Sequence, residues 1–188
     1  MDIDEASAPE SIEQLTKRIF TELHQAILLH ESGSLDGDVE AIHDMRVAVR
    51  RLRVALSNFA ACVPKQVRKR LRLRSENLAL ALGNVRDLDV MIAVMKASLP
   101  TRSEEEKVAI SALIRRLRAR RRFRLRALKN YLRGEQYAAF KHKFLSERID
   151  KEPPQPCSEP ADIQLQVVEV VEEADAGDVI EEEHGQAA

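Results

Sequence analysis

The stretch AIHDMRVAVRRLR, residues 41–53, carries one histidine and four arginines within thirteen residues. At about 100° per residue, a helix would align four of these basic side chains within roughly 80° of one another: His43, Arg46, Arg50 and Arg53. The large apolar side chains fall on another face, which we predict to be the core face: Met45, Leu52, Leu56 and Phe59. The basic face therefore borders the core, whereas charges that only keep a helix soluble more often lie opposite it.

The net charge of −1 conceals a strong separation of charge along the chain. Residues 1–40 contain 2 basic and 10 acidic side chains, residues 41–145 contain 26 and 8, and residues 146–188 contain 2 and 13. A segment with a net charge of +18 thus lies between ends of −8 and −11. Such a basic body indicates a polyanionic partner, although the acidic ends could also serve only to keep the chain soluble.

Helical periodicity and helix-breaking residues predict an all-α fold, an antiparallel bundle of about four long helices. Ser11 and Ser103 are predicted N-caps, and Glu106 completes a capping box with Ser103. The segment SGSLDGD, residues 32–38, is predicted to be a loop, and Gly83 is expected to allow close packing of two helices. The predicted helices cover about 11–31, 39–62, 65–98, 104–133 and, as a short fifth helix, 136–149.

The charge distribution and the predicted helices divide the chain into three segments. Residues 1–10 form an acidic extension, residues 11–149 a helical domain, and residues 150–188 a linker and tail. The linker contains EPPQPCSEPAD, with four prolines in eleven residues, which is typical of an extended chain. The acidic tail is predicted to be disordered. A strand is the alternative for IQLQVVEVV, residues 163–171, where apolar and polar residues alternate weakly.

A second basic face is predicted on the helix at 65–98, where Arg68, Arg72 and Arg86 align within about 40°. Guanidinium groups suit phosphate because their planar fork donates paired hydrogen bonds and keeps its charge at physiological pH. The residues therefore favour anion binding over the alternative of an ordinary solvated basic face.

The segment LGNVRDLDV, residues 82–90, places two acidic side chains among apolar ones. Asp87 and Asp89 would point about 200° apart on a helix, so they cannot share one metal ion. We expect one of them to orient an arginine of the basic face and the other to pair with or cap a neighbouring segment. No catalytic residue, metal site or cofactor is predicted.

The stretch at 41–53, followed some thirty residues later by LGNVRDLDV, resembles the CHAD family, the conserved-histidine α-helical domain. The resemblance covers about residues 11–145 and only the N-terminal half of a full member, which has two similar helical halves. It implies an all-helical domain that binds inorganic polyphosphate in a basic groove. The family motifs correspond here to His43, Arg46, Arg50, Arg51 and Arg53, and to Arg86, Asp87 and Asp89.

These observations predict a non-enzymatic protein that binds inorganic polyphosphate, located in the cytoplasm or at polyphosphate granules. A homodimer, in which two copies of this half-domain pair to form the equivalent of a full family member, is a further hypothesis. Nucleic acid is the less favoured partner, suggested by eight arginines between positions 115 and 126. A truncated CHAD remnant acting as an interaction module is the other alternative, and no membrane partner is expected. The predicted binding residues are His43, Arg46, Arg50, Arg51, Arg53, Arg68, Arg72 and Arg86, with Asp87 and Asp89 in supporting roles.

Overall fold

The computed structural model describes residues 11–144 as a bundle of α-helices, with no strand in that range. The four long helices that the sequence predicts are confirmed. The elements are α1 (Ile12–Leu29), α2 (Glu31–Asp36), α3 (Val39–Asn58), α4 (Lys65–Ser98), a 3-10 turn (Leu99–Thr101), α5 (Glu104–Arg133) and α6 (Glu135–Lys143). The predicted N-terminal extension, the end of the predicted fifth helix, and the linker and tail lie outside the described residues.

Both predicted helix caps are present. The Ser11 hydroxyl accepts a hydrogen bond from the Gln14 backbone N–H at 3.2 Å, and the Gln14 side chain accepts one from the Ser11 N–H at 3.0 Å. Ser103 and Glu106 exchange the same pair of bonds at 3.3 and 2.9 Å. The backbone hydrogen bond from Ser103 lowers the pKa of Glu106 because it stabilises the carboxylate. Local sequence alone therefore determines where α1 and α5 begin.

The prediction of a loop at residues 32–38 is wrong, because most of this segment forms the short helix α2. A Cβ added at Gly33 would lie 2.6 Å from the Cβ of Ala41, so the absence of a side chain lets α2 pack closely against α3. Gly37 ends α2 with a φ of 91°, a conformation that favours glycine. The second predicted helix also ends earlier than expected, at Asn58 rather than at residue 62.

Gly83 does not have the role that the sequence suggested. A Cβ added there would meet only the Nε of Arg46, at 3.9 Å, which is an ordinary van der Waals contact. Close helix packing therefore does not require glycine at this position. What Gly83 does is leave open space beside Arg46, on the surface between α3 and α4.

The core is built from one face of each long helix. Met45, Leu52 and Leu56 of α3 are buried, as the sequence predicts, and Phe59 packs partly buried against the same cluster. A smaller apolar cluster joins the C-terminal half of α4 to the N-terminal half of α5. It consists of Leu88, Ile92, Ile114 and Leu117. Because burial of this kind scales with apolar area, these faces provide most of the energy that orients α3 and α4.

Helix α6 docks onto α1 and α2 through aromatic and charged contacts. The imidazole of His24 stacks on Phe144, with ring centroids 4.3 Å apart, and meets Phe140 edge-on at 5.8 Å. Lys141 pairs with Glu31 at 2.9 Å. His24 is buried, and its Nε2 has no hydrogen-bond partner within residues 11–144. Burial lowers the pKa of His24 because it disfavours the charged imidazolium.

Folding stability is expected to decrease as the pH falls below about 6.5, the ordinary histidine value. The unfolded chain binds a proton at His24 in that range, whereas the folded protein, with its lowered pKa, does not. His24→Leu should therefore reduce the dependence of the melting temperature on pH between pH 7.5 and 5.5. Equal slopes for the two proteins would show that another group is responsible.

Candidate functional site

Three basic residues of α3 lie along its seam with α4: Arg46, Arg50 and Arg53. The Nη2 atom of Arg53 lies 3.9 Å from Oε1 of Glu76 on α4. Seven residues earlier on α3, Arg46 lies beside Gly83, which is seven residues later on α4. The two helices are therefore antiparallel in a fixed register, and the same register places His43 level with Arg86.

The lower end of this seam forms a strongly basic groove of about 520 Å³. We call it the lower groove. Three side chains that are not charged, Leu56, Ser57 and Ala60, line it from the end of α3. All of its other lining residues are cationic, and no acidic residue lines it: Arg53, Lys65, Arg68, Lys69 and Arg72. Five like charges around one groove repel one another, so an anion bound there would remove an unfavourable interaction.

The upper groove, of about 400 Å³, continues along the same seam towards the N-terminus of α3. Arg46, Arg50 and Arg53 line it, and Arg53 also belongs to the lower groove. Two acidic side chains, Glu76 and Asp87, line it as well. The upper groove is therefore much less positive than the lower one, although three arginines lie along it.

Two arginines of the lower groove have different surroundings. Arg68 is half-buried and donates a hydrogen bond to the carbonyl oxygen of Ala60, just beyond the end of α3. It thus holds the turn between α3 and α4 as well as contributing charge. The Arg72 side chain is 73% exposed, and its Nε donates to Glu76 at 2.9 Å. Surface pairs of this kind contribute little to stability, so Arg72 can leave Glu76 for another anion at little cost in free energy.

Not every predicted residue lines these two grooves. Arg51 is exposed on α3 but lies roughly 80° around the helix from His43, on the side away from Arg46 and Arg50. His43 and Arg86 are half-buried at the upper end of the seam, beyond the residues that line the upper groove. The Nδ1 atom of His43 is buried and has no hydrogen-bond partner in the described part of the chain.

Asp87 and Asp89 have separate roles, as their spacing predicts. Asp87 is exposed and lines the upper groove with Arg46. Asp89 is buried and pairs with Arg121 of α5, which also donates to the Gly37 carbonyl oxygen at 3.0 Å. Arg121 is not part of the predicted basic face. Asp89 therefore joins α4, α5 and the end of α2, rather than orienting an arginine of the seam.

Sequence reasoning missed three residues of the site: Lys65, Lys69 and Glu76. The signal for the lysines was present, because Lys65, Arg68, Lys69 and Arg72 recur at the three- and four-residue spacing of one helix face. Glu76 could not have been found in this way. Its position opposite Arg53 depends on the register between two helices.

Three arginines of α5 lie in a separate groove, away from the seam. Arg121 and two exposed neighbours, Arg118 and Arg122, line a groove of about 620 Å³ with Lys96 of α4. Val39, at the start of α3, also lines it, so it lies at the opposite end of that helix from the lower groove. These three arginines therefore do not enlarge the basic surface of α3 and α4, whereas Arg124 of α5 lines a groove that shares Leu80 and Asn84 with the upper groove.

Within residues 11–144, no group of three or more His, Cys, Asp or Glu side chains is placed to hold a metal ion. Among the helices described, none has the length and apolar character needed to cross a membrane.

The fold and site together define a helical bundle with a cationic seam. The family model for the CHAD domain matches residues 18–175, which is most of the chain, and the protein belongs to the CHAD family. This domain is associated with polyphosphate binding. The match extends beyond residue 145, where the resemblance seen in the sequence ended. A search of curated proteins finds no match to the chain.

Proposed function

We propose that this protein binds inorganic polyphosphate, without catalysing its turnover, along the seam between α3 and α4. The observation that carries the proposal is the lower groove, where five cationic side chains and no acidic one line a single concave surface. Membership of the CHAD family supports the same ligand.

The shape of the seam suits a linear anion. Basic side chains recur from His43 to Arg53 on α3, and the lower groove continues to Ala60, a span of roughly 26 Å at 1.5 Å per residue. A chain of phosphates can follow such a surface, with successive groups accepting charge-assisted hydrogen bonds from guanidinium and ammonium groups. Counterions released from the polyanion would add favourable entropy, as they do for nucleic acids.

The test is to measure binding of long-chain polyphosphate and of DNA side by side at several salt concentrations. Polyphosphate should bind more tightly, and its affinity should fall steeply as salt rises, because each phosphate contact releases counterions. Tighter binding of DNA would instead favour the nucleic-acid alternative, which the exposed arginines of α5 suggest. No salt-sensitive binding to either polymer would contradict both.

We also propose that two copies can pair when polyphosphate is present. Support comes from the outer face of α4, where Leu73, Leu80 and Met91 are 60%, 67% and 46% exposed. They lie within about 20° of one another around the helix, so they form a single apolar ridge. Polyphosphate would bridge the two basic seams, which otherwise repel each other.

Sedimentation is expected to show a monomer or weak dimer alone and a firm dimer with polyphosphate. Leu73→Gln with Met91→Gln should weaken that dimer at least tenfold, since each exchange removes apolar area from the contact. Leu80 is left unchanged because it also lines the upper groove. Val108→Gln is the control, because Val108 is 71% exposed on α5 and outside the ridge. A strictly monomeric complex would refute the dimer while leaving polyphosphate binding intact.

A cytoplasmic location, at polyphosphate granules, follows from the proposal that the protein binds polyphosphate.

A further inference from the structure

Glu76 occupies a distinctive position in the cationic seam. Its Oε1 atom lies 2.9 Å from Nε of Arg72 and 3.9 Å from Nη2 of Arg53. Arg72 and Arg53 both line the lower groove, and Arg53 is the residue that the two grooves share. A carboxylate thus lies at the junction between the grooves and contacts a guanidinium on each helix.

We propose that Glu76 is a built-in competing anion that divides the seam into two subsites and lowers the affinity for long polyphosphate chains relative to short ones. The inference rests on the proposed function and assigns a residue that sets its specificity. A short chain can bind in the lower groove through Lys65, Arg68 and Lys69, without taking over the contacts of Glu76 with Arg53 and Arg72. A chain that continues into the upper groove must pass Glu76 and take over its contacts with Arg53 and Arg72.

The free-energy cost of displacing Glu76 from its two arginines is small, so the additional contacts of a long chain can offset it. The Glu76 side chain is 38% exposed and those of Arg53 and Arg72 are 45% and 73% exposed. Ion pairs at such exposure are weak, so a phosphate can replace the carboxylate as partner of both arginines. Arg46 and Arg50, further along the upper groove, then add contacts that a short chain never reaches.

Glu76→Gln is the direct test, because it removes the charge while keeping the size of the side chain. The affinity for long-chain polyphosphate should rise about three- to tenfold at low salt, since a negative charge within a few ångströms of the bound phosphates is lost. The salt dependence should also steepen, because Arg53 and Arg72 become available to phosphate. The affinity for tripolyphosphate, which fills only the lower groove, should change less.

Glu22→Gln is the matched control. Glu22 pairs with Arg18 at i,i+4 on α1, at 3.4 Å, in the same way as Glu76 pairs with Arg72. Both variants lose one negative charge and an i,i+4 ion pair on the surface, and Glu76→Gln also loses the 3.9 Å contact with Arg53 that belongs to its proposed role. Circular dichroism of Glu76→Gln and of Glu76→Ala shows whether either change disturbs the helix.

The outcomes separate the two proposals. Wild-type protein that binds neither tripolyphosphate nor long-chain polyphosphate would refute the proposed function. Wild-type binding with equal gains for Glu76→Gln and Glu22→Gln would overturn only the role of Glu76, as would an equal gain for both chain lengths. A larger gain for Glu76→Gln, confined mainly to the long chain, is the expected result.

Discussion

Replacing Arg46 and Arg50 together with alanine is expected to lower the affinity for long-chain polyphosphate about ten- to hundredfold at low salt. The two side chains are exposed, lie one turn apart on α3 and line the upper groove. Hydrogen bonds to charged groups contribute about 1.5–3 kcal/mol each, and part of that is recovered by solvation. The slope of log affinity against log salt should also become less steep by about 1.5 units, because two phosphate contacts are lost.

The fold should tolerate this change. Neither arginine contributes to the core, and removing two like charges reduces repulsion along the seam, so the melting temperature should stay the same or rise slightly. Loss of helicity together with binding would mean that the arginines have a structural role instead.

The matched control for this experiment is Arg116→Ala with Arg120→Ala. These arginines are also exposed and one turn apart, but they lie on α5 and line neither groove of the seam. Polyphosphate affinity should fall by no more than about threefold, the effect of reduced net charge at a distance. If this pair instead removes most of the binding, the arginines of α5 are the binding surface.

Replacing Asp89 with alanine is expected to destabilise the folded protein by about 3 kcal/mol, a large fraction of the stability of a domain of this size. The Asp89 side chain is 5% exposed and that of its partner Arg121 is 18% exposed. The variant would leave the Arg121 guanidinium without its carboxylate in a poorly solvated position. Urea unfolding measures the change in the free energy of unfolding.

Asp87→Ala provides the comparison, because Asp87 is exposed and only two residues away. Its effect should stay within about 0.5 kcal/mol, as for most surface changes. Combining Asp89→Leu with Arg121→Met should recover much of the lost stability, since both charges leave the interior together. A cost below about 1 kcal/mol for Asp89→Ala would show that the pair does not hold α4 and α5 together.

The sequence alone determined the four long helices, the N-caps of α1 and α5, and the core face of α3. These features depend on residues that are close in the chain, such as Ser103 with Glu106, and on the spacing of Met45, Leu52 and Leu56. The basic face of α3 was predictable for the same reason, since Arg46, Arg50 and Arg53 share one helix face by periodicity.

Only the tertiary structure decided which residues of different helices meet. Glu76 faces Arg53 because α3 and α4 pack antiparallel in one register, and a single helix contains no information about that register. The same holds for Asp89, whose partner Arg121 lies 32 residues away in the chain. The short helix α2 also depends on packing against a neighbouring helix, because Gly33, a helix breaker by propensity, fits closely against Ala41 of α3. Local periodicity thus fixed the elements and their faces, while burial of the apolar faces selected the register that brings Lys65, Lys69 and Glu76 into the seam.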